Sequence, residues 1–295
     1  MNSLISIIIP TFNRKEEINH AIKSVINQTY ENWELIIVDN NSTDGTDALI
    51  KGYENNKISL HKINNNGVIA ASRNKGISLA KGDYVAFLDS DDWWLPNKLQ
   101  ECIKYIDNGS NQADFIYHSL FISHERKNKK TFRKIYARQL LVPIFEDLIM
   151  NNNPIATSSV IVSKKLISKA GFFDENPSLI AAEDYECWLK ISKLTDKFIS
   201  IRKPLGYWFL GENTSSPKLT LKYLDLLKKM HIDSFVINSK RKMPSWWNYS
   251  KGRALFLSND LNNAKEYLQR ALFSKSSLIV KIKCIYMLIK ILFWK

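Results

Sequence analysis

The sequence predicts an α/β fold, a mainly parallel sheet flanked by helices, followed by a helical C-terminal extension. Three observations carry this reading. Short apolar runs of strand length alternate with segments whose apolar residues recur at helical spacing, the pattern of βαβ units. Four of the strand-like runs end in polar or acidic residues, at the place where open α/β sheets collect ligands. From about Leu219 the pattern is helical to the end.

Taken in order, "LISIIIP" reads as a buried first strand ended by Pro10. In "RKEEINHAIKSVINQT", Ile18, Ala21, Ile22, Val25 and Ile26 make one face of a helix. Asn13, with Glu16 three residues on, has the form of its N-cap and reciprocal partner. "ELIIVDN" is a second strand, "STDGTDALIKGY" a capped turn and helix, and "ISLHKIN" a third strand. "GVIAASRNKGISLAKG" reads as a helix ended by Gly82, and "DYVAFLD" as the fourth strand. The strand ends therefore fall at Pro10 to Asn13, Asp39 to Ser42, Asn64 to Gly67 and Asp89 to Asp92. Beyond Trp94 the periodicity weakens. "ADFIYHSLFIS" and "KTFRKIYAR" look like strands around a basic loop at 125–130, and "ATSSVIVSKKLISKAGFFDE" like strand, short helix and turn. A helix carrying "AEDYECWLKISK" and a strand "FISIRKPLGYWFL" follow. "RALFLSNDLNNAKEYLQRALF" has the form of a helical hairpin turning at "SNDLNN".

The 295 residues, 45% hydrophobic and 24% charged, suffice for one large or two modest folded domains. "LISIIIP" is too short for a signal or spanning segment, so a cytoplasmic protein is expected. Cys102, Cys187 and Cys284 form no C-x-x-C pair, and neither a disulfide framework nor a zinc ribbon is indicated. The net charge of +13 is uneven: from Ser216 onward there are 13 Lys and 3 Arg against 3 Asp and 1 Glu. Such a basic tail favours an anionic partner, or else serves solubility as a solvated face.

The richest chemistry lies in "YVAFLDSDDWWLPNKL". Asp89 and Asp91, two apart beyond a strand, leave an extended chain on the same side. Carboxylates held together raise each other's pKa unless a cation neutralises them, and a hard divalent ion such as Mg²⁺ or Mn²⁺ suits such ligands. A plain surface turn is the competing reading. Asp39 adds a carboxylate at another strand end, before "NNSTDGT", a run that turn chemistry alone also explains. Arg73 could neutralise a phosphate or pair with one of the aspartates. A diphosphate would bridge metal and arginine. No G-x-x-x-x-G-K-[ST] loop is present, which removes the P-loop route.

"SIIIPTFNR", "SVINQTYENWELIIVDNNSTDGT", "GVIAASRNKGISLAKGDYVAFLDSDDWW" and "GFFDENPSLIAAEDYECWLKI" together resemble the inverting family 2 glycosyltransferases of GT-A fold, a Rossmann-like architecture, over roughly residues 3 to 210. The resemblance implies transfer of a sugar from a nucleotide diphosphate sugar, usually UDP-linked, to a hydroxyl acceptor with Mn²⁺ or Mg²⁺ on the diphosphate. Residue by residue, it puts Pro10, Thr11 and Asn13 around the nucleoside and Asp39 on the base. Asn41 stands in "VDNNS", where many members carry a second Asp and a Gly, which leaves base preference open. Arg73 would meet base or diphosphate, Asp89 and Ser90 the sugar nucleotide, and Asp91 the metal, with Asp89 and Asp92 as further ligands. It also implies a nucleotide-sugar-binding half at 1–100 and an acceptor half at 101–215, to which the charge count adds the basic helical extension at 216–295.

Glu183 and Asp184 match the acidic pair that ends in the catalytic base, Asp184 being favoured. The first turn of a helix is the competing explanation, since acids there suit the dipole. Trp188 reads as core. The resemblance also implies that "NNPIATSSV" shapes the acceptor pocket, with Thr157 and Ser158 as hydroxyl contacts. The segment 278–295 carries Lys281, Lys283 and Lys290 among apolar residues, which argues against a spanning helix. An interfacial helix on the inner leaflet, with Trp246 and Trp247 on the same surface, and a terminal helix packed on the enzyme are the two readings. The expected partners are a UDP-sugar, a glycan acceptor attached to a lipid, and the cytoplasmic face of the inner membrane, with no nucleic acid. The expected setting is O-antigen or capsule synthesis. A different nucleotide-sugar reaction such as uridylyl transfer would need a glycine-rich phosphate loop. A catalytically silent membrane- or nucleic-acid-binding module would show salt-dependent binding without metal.

Overall fold

The structure is a computed structural model that describes residues 3–106, 113–124, 133–211 and 216–293. The basic loop expected at 125–130 lies outside the described residues, as do residues 131–132 and 294–295. Two compact units divide the chain, and neither is continuous in sequence. The first comprises Met1–Leu141, Pro154–Glu175 and Lys190–Glu212, the second Val142–Asn153, Asn176–Leu189 and Asn213–Lys295.

The first unit is built on a nine-stranded sheet. β1 (Ile5–Thr11), β2 (Trp33–Asp39), β3 (Ile58–Lys62) and β4 (Tyr84–Phe87) are parallel and stand in the order β3-β2-β1-β4. β8 (Ile161–Ser163) runs antiparallel to β4 and to β6 (Phe115–Ser123). β6 is parallel to β9 (Phe198–Phe209), which pairs antiparallel with the two-residue β5 (Trp93–Trp94). β7 (Lys134–Ile135) covers part of β6.

β1 and β2 are buried almost throughout, which is why apolar residues run consecutively at 7–9 and 35–38 rather than alternating. α1 (Lys15–Ile26) inserts Ile18, Ala21, Ile22 and Val25 into the core, while Ile26 stays partly exposed. Asn13 is not its cap. The capping position is Arg14, with no side-chain bond, and Asn13 takes a left-handed φ of 48° to serve a neighbouring loop. α2 (Thr46–Lys51) follows a left-handed Gly45. α3 (Ile69–Leu79) ends at an extended Ala80 rather than at Gly82. Gly82 is needed because a Cβ there would lie 2.3 Å from the Leu4 carbonyl oxygen. Sequence periodicity missed α4 (Lys98–Ile106) and α5 (Ile144–Asn151). α4 nevertheless buries Leu99, Cys102, Ile103 and Ile106 on one face. α6 (Lys164–Lys169) is capped by Ser163, whose hydroxyl accepts from the Leu166 amide.

The second unit holds α5 and α7 (Glu183–Ser192, as far as Leu189) together with the C-terminal helices. These are α8 (Pro217–Leu227), a π-helical turn at Lys228–Ile232, α9 (Asp233–Ser239), α10 (Ser245–Leu257), α11 (Leu261–Leu272) and α12 (Leu278–Phe293). α10 and α11 form the expected hairpin. Its turn is made by Asn259 at a left-handed φ of 63° and by Asp260, whose side chain accepts from the Asn263 amide. Trp246 and Trp247 do not face outward as a pair. Trp247 is 2% exposed and donates to the Leu224 carbonyl, and Trp246 donates to that of Ile149, because buried indoles need a partner for the N–H. No helix among the described residues is long and apolar enough to cross a membrane.

Candidate functional site

Register brings the four predicted strand ends to one edge of the sheet. Thr11 pairs with Asp39, and Asp39 with Lys62, while Ile8 pairs with Phe87. The residues following β1, β2, β3 and β4 therefore leave the sheet side by side.

The loop after β2 is organised around Asp39. This carboxylate is fully buried, accepts the Ser42 amide at 3.1 and 3.2 Å and accepts the Ser42 hydroxyl as well. The Ser42 oxygen accepts the Asn13 amide at 2.8 Å, and Asn13 Oδ1 accepts the Thr43 amide at 2.8 Å. Asn13 and Asn41 both occupy left-handed backbone, where asparagine is among the few tolerated side chains. The Asn65 amide donates to Asn40 Oδ1 at 2.8 Å, tying in the loop after β3. Pro10 is buried, and the buried Thr11 hydroxyl has no hydrogen-bond partner among the described residues.

α3 delivers Arg73 to the loop after β4. Its guanidinium donates to Asp89 Oδ1 at 2.8 Å and lies 5.5 Å from the centre of the Phe173 ring. Arg73 thus pairs with an aspartate, one of its two sequence-level options. Asn74, the next residue, bonds both backbone groups of Phe173, at 2.9 and 3.0 Å, and so holds that ring in place. The Asp89 amide donates to Ser158 Oγ at 3.0 Å. Trp94 Nε1 donates to the Ser158 carbonyl at 2.7 Å. Ser158 sits in a 3₁₀ turn, Thr157–Ser159, with Thr157 buried beside it. Ser158 is itself 1% exposed, and its hydroxyl is engaged with the aspartate loop.

The three aspartates differ in environment. Asp89 is committed to Arg73. Asp92 is buried and accepts the Phe209 amide at 2.8 Å. Burial, then Asp91 and Asp89, push its carboxyl well above the usual range, against the hydrogen bond from Ser158. Asp91 and Ser90 are half-buried, and burial followed by the Asp89 charge raises the Asp91 carboxyl too. Among the described residues no three His, Cys, Asp or Glu side chains converge as a metal cage. A hard cation held by one or two carboxylates and completed by substrate phosphates fits this donor set, and it would offset the repulsion that now raises Asp91. Asp91, with Asp89 beside it, would hold such an ion.

In the second unit, Glu183 and Asp184 open α7 as its first two residues, Glu183 buried and Asp184 half-buried. The helix is anchored by Tyr185, whose hydroxyl donates to the Leu148 carbonyl at 2.7 Å, and by Trp188, which is core as expected. Asp184 Oδ1 accepts the Tyr185 amide at 2.6 Å, and Tyr223 is close enough for burial and the Asp184 charge to raise its phenol. Sequence reasoning missed Glu186, fully buried, with one oxygen 3.3 Å from Nε2 of His231 on the π-helical turn. It also missed Ser42, Asn74 and Phe173 as supports. The "GFFDE" motif contained the only signal for Phe173.

A sheet with four loops gathered at the carboxyl edge, and with an acidic cluster at the end of β4, defines a GT-A domain. The sequence model of Glycosyl transferase family 2 matches residues 6–170. The chain belongs to that family. It is 32% identical over 190 residues to the UDP-Glc:alpha-D-GlcNAc-diphosphoundecaprenol beta-1,3-glucosyltransferase WfgD of Escherichia coli, covering 64% of this chain and 70% of WfgD. It is 31% identical over 244 residues to the amylovoran biosynthesis glycosyltransferase AmsB of Erwinia amylovora, covering 76% and 77%. Among solved structures, that of S. aureus TarS residues 1–349 in complex with UDP-GlcNAc superposes with a TM-score of 0.64 at 19% identity, covering 97% of this chain and 81% of that one.

Proposed function

We propose that the protein is a metal-dependent, inverting hexosyltransferase that moves a sugar from a UDP-sugar to a hydroxyl of a lipid-linked oligosaccharide during assembly of a bacterial surface polysaccharide. The single observation that carries the reading is the Arg73–Asp89–Asp91 group at the end of β4, on the edge where Asp39 closes the loop after β2. WfgD, whose name gives a UDP-glucose donor and a diphosphoundecaprenol-linked acceptor, supports the donor and acceptor classes. AmsB supports a polysaccharide product.

In this reading Pro10, Thr11, Asn13, Asp39 and Asn41 receive the nucleoside, and Arg73, Asp89 and Ser90 the sugar diphosphate. Asp91 holds a Mn²⁺ or Mg²⁺ ion, which when bound offsets charge on the leaving diphosphate. Asp184, supported by Glu183, takes the proton of the attacking acceptor hydroxyl, the one base that inversion requires. Thr157 is kept as an acceptor contact. Ser158 acts by holding the aspartate loop. Residues 1–100 and 101–215 serve donor and acceptor, and 216–295 brings the protein to the cytoplasmic face of the membrane. The family match does not favour a catalytically silent binding module.

The test is calorimetric titration with UDP and with GDP, each with and without Mn²⁺. UDP binding that needs the metal is expected. Equal or better binding of GDP would move the donor class, and no binding of either nucleotide would overturn the reading.

A further inference from the structure

α12 is apolar on both sides, whereas a helix packed by one face needs only one apolar stripe. One side is accounted for. Cys284 and Met287 are buried against Leu268 and Ala271 of α11, with Val280, Leu288 and Ile291 packed around them. The other side is not. Leu278, Ile282, Ile285, Ile289, Leu292 and Phe293 line it, each between 46% and 80% exposed. Their spacing of four and three residues sets them in one row along the helix. At 100° per residue, Lys281 projects along one margin of that row, and Lys290 and Lys283 lie on its other side beyond the exposed Tyr286 and Ile279, which widen it. The Lys290 ammonium lies over the Tyr286 ring, 4.7 Å from its centre. The packed-helix reading accounts for one face of this element and leaves the other exposed.

We propose that the exposed face of α12 docks on an anionic lipid surface, with the isoleucine and leucine row sunk to the level of the acyl boundary and the lysines at the headgroups. The choice of occupant rests on charge. α12 carries no Asp or Glu, so a symmetric pairing of two copies along this row would set lysine against lysine at the flanking positions, where helix pairs favour opposite charges. A bilayer with anionic headgroups meets the same lysines with complementary charge, and long lysine stems reach outward from a buried apolar row. A nucleic acid would pair with the lysines but leave the row in water. The proposal deepens the membrane part of the proposed function and rests on it.

The test is co-flotation of the full chain with phosphatidylcholine vesicles, with and without phosphatidylglycerol, read without any sugar transfer. Binding is expected only with phosphatidylglycerol and is expected to fall as salt is raised. Replacing Lys281, Lys283 and Lys290 together by Gln should lower vesicle affinity by on the order of 10²-fold. Ile285→Ser with Ile289→Ser should lower it by about the same factor. Both variants should keep the wild-type melting temperature and UDP affinity, because none of these side chains belongs to the cluster packed on α11. Equal binding to both kinds of vesicle, or none to either, would overturn the proposal from the wild-type protein alone. So would a concentration-dependent dimer that the isoleucine substitutions dissociate. Loss of UDP binding with vesicle binding intact would instead strike the transferase reading.

Discussion

Ser158→Ala probes the support of the aspartate loop. The Ser158 hydroxyl is buried, accepts the Asp89 amide at 3.0 Å and bonds to the buried Asp92 carboxyl. Alanine keeps the 3₁₀ turn and the Trp94 bond, which goes to the Ser158 carbonyl. It removes only the hydroxyl. The Asp89 amide lies in a partly exposed turn and can recover water, so its loss costs about 1 kcal/mol. The Asp92 carboxyl is sealed from water, and losing its partner costs about another 1 kcal/mol. The sum, about 2 kcal/mol, is roughly a 30-fold shift in the folding equilibrium. It should appear as a lower urea midpoint at unchanged slope. A looser Asp89 to Asp92 turn should also weaken UDP binding in the presence of Mn²⁺ by about tenfold. Unchanged midpoint and unchanged UDP affinity would refute the supporting role. A rise in acceptor KM alone would return Ser158 to the acceptor pocket.

Other substitutions separate the remaining roles. Asp91→Asn should abolish the Mn²⁺ dependence of UDP binding, whereas Asp184→Asn should keep UDP affinity and lower transfer by about 10²- to 10⁴-fold; calorimetry and initial rates on one preparation decide both. Lys98, the first residue of α4, is buried with its ammonium 3.7 Å from the centre of the Trp94 ring, and burial holds its pKa down to about 8. Above pH 8 the folded chain has lost this proton while the unfolded chain keeps it up to about 10.4, so stability should rise with pH across that window. Lys98→Met should flatten that rise and, after loss of the ring contact, add about 1–2 kcal/mol at neutral pH, read from urea midpoints. Gly76→Ala would place a Cβ 2.4 Å from Ile8 Cγ2, where α3 crosses β1. It should cost about 1–3 kcal/mol by overpacking despite the better helix propensity of alanine, and lower the melting temperature.

The parts of the fold legible in sequence were those with a repeating signal. The Ile and Leu runs of β1 and β2 declare themselves because burial on both faces leaves a continuous apolar run, and α1 because burial of one face leaves a helical period. Asp39 and the Asp89 to Asp92 run stood out as site candidates because they follow buried strands at one edge, although turn chemistry alone competes as their explanation. α4 was not read, because its apolar face follows "LPNK" without a regular lead-in. The caps of α1 and α3 went wrong because an asparagine and a glycine that resemble local punctuation are used at long range. Asn13 serves the Thr43 amide, and Gly82 makes room for the Leu4 carbonyl.

By itself the sequence determined the α/β class, the four strand ends that carry the polar loops, and the acidic and basic residues placed there, since each follows from short-range pattern. Only the tertiary structure decided which partner each charge takes. It gave Arg73 to Asp89, turned Asp92 inward to Phe209, and put Ser158 under the loop from 69 residues away. It also divided α12 into a packed face and an open one. A side chain's chemistry belongs to its residue type, but its partner depends on which distant segments pack beside it and exclude water, and no local pattern carries that information.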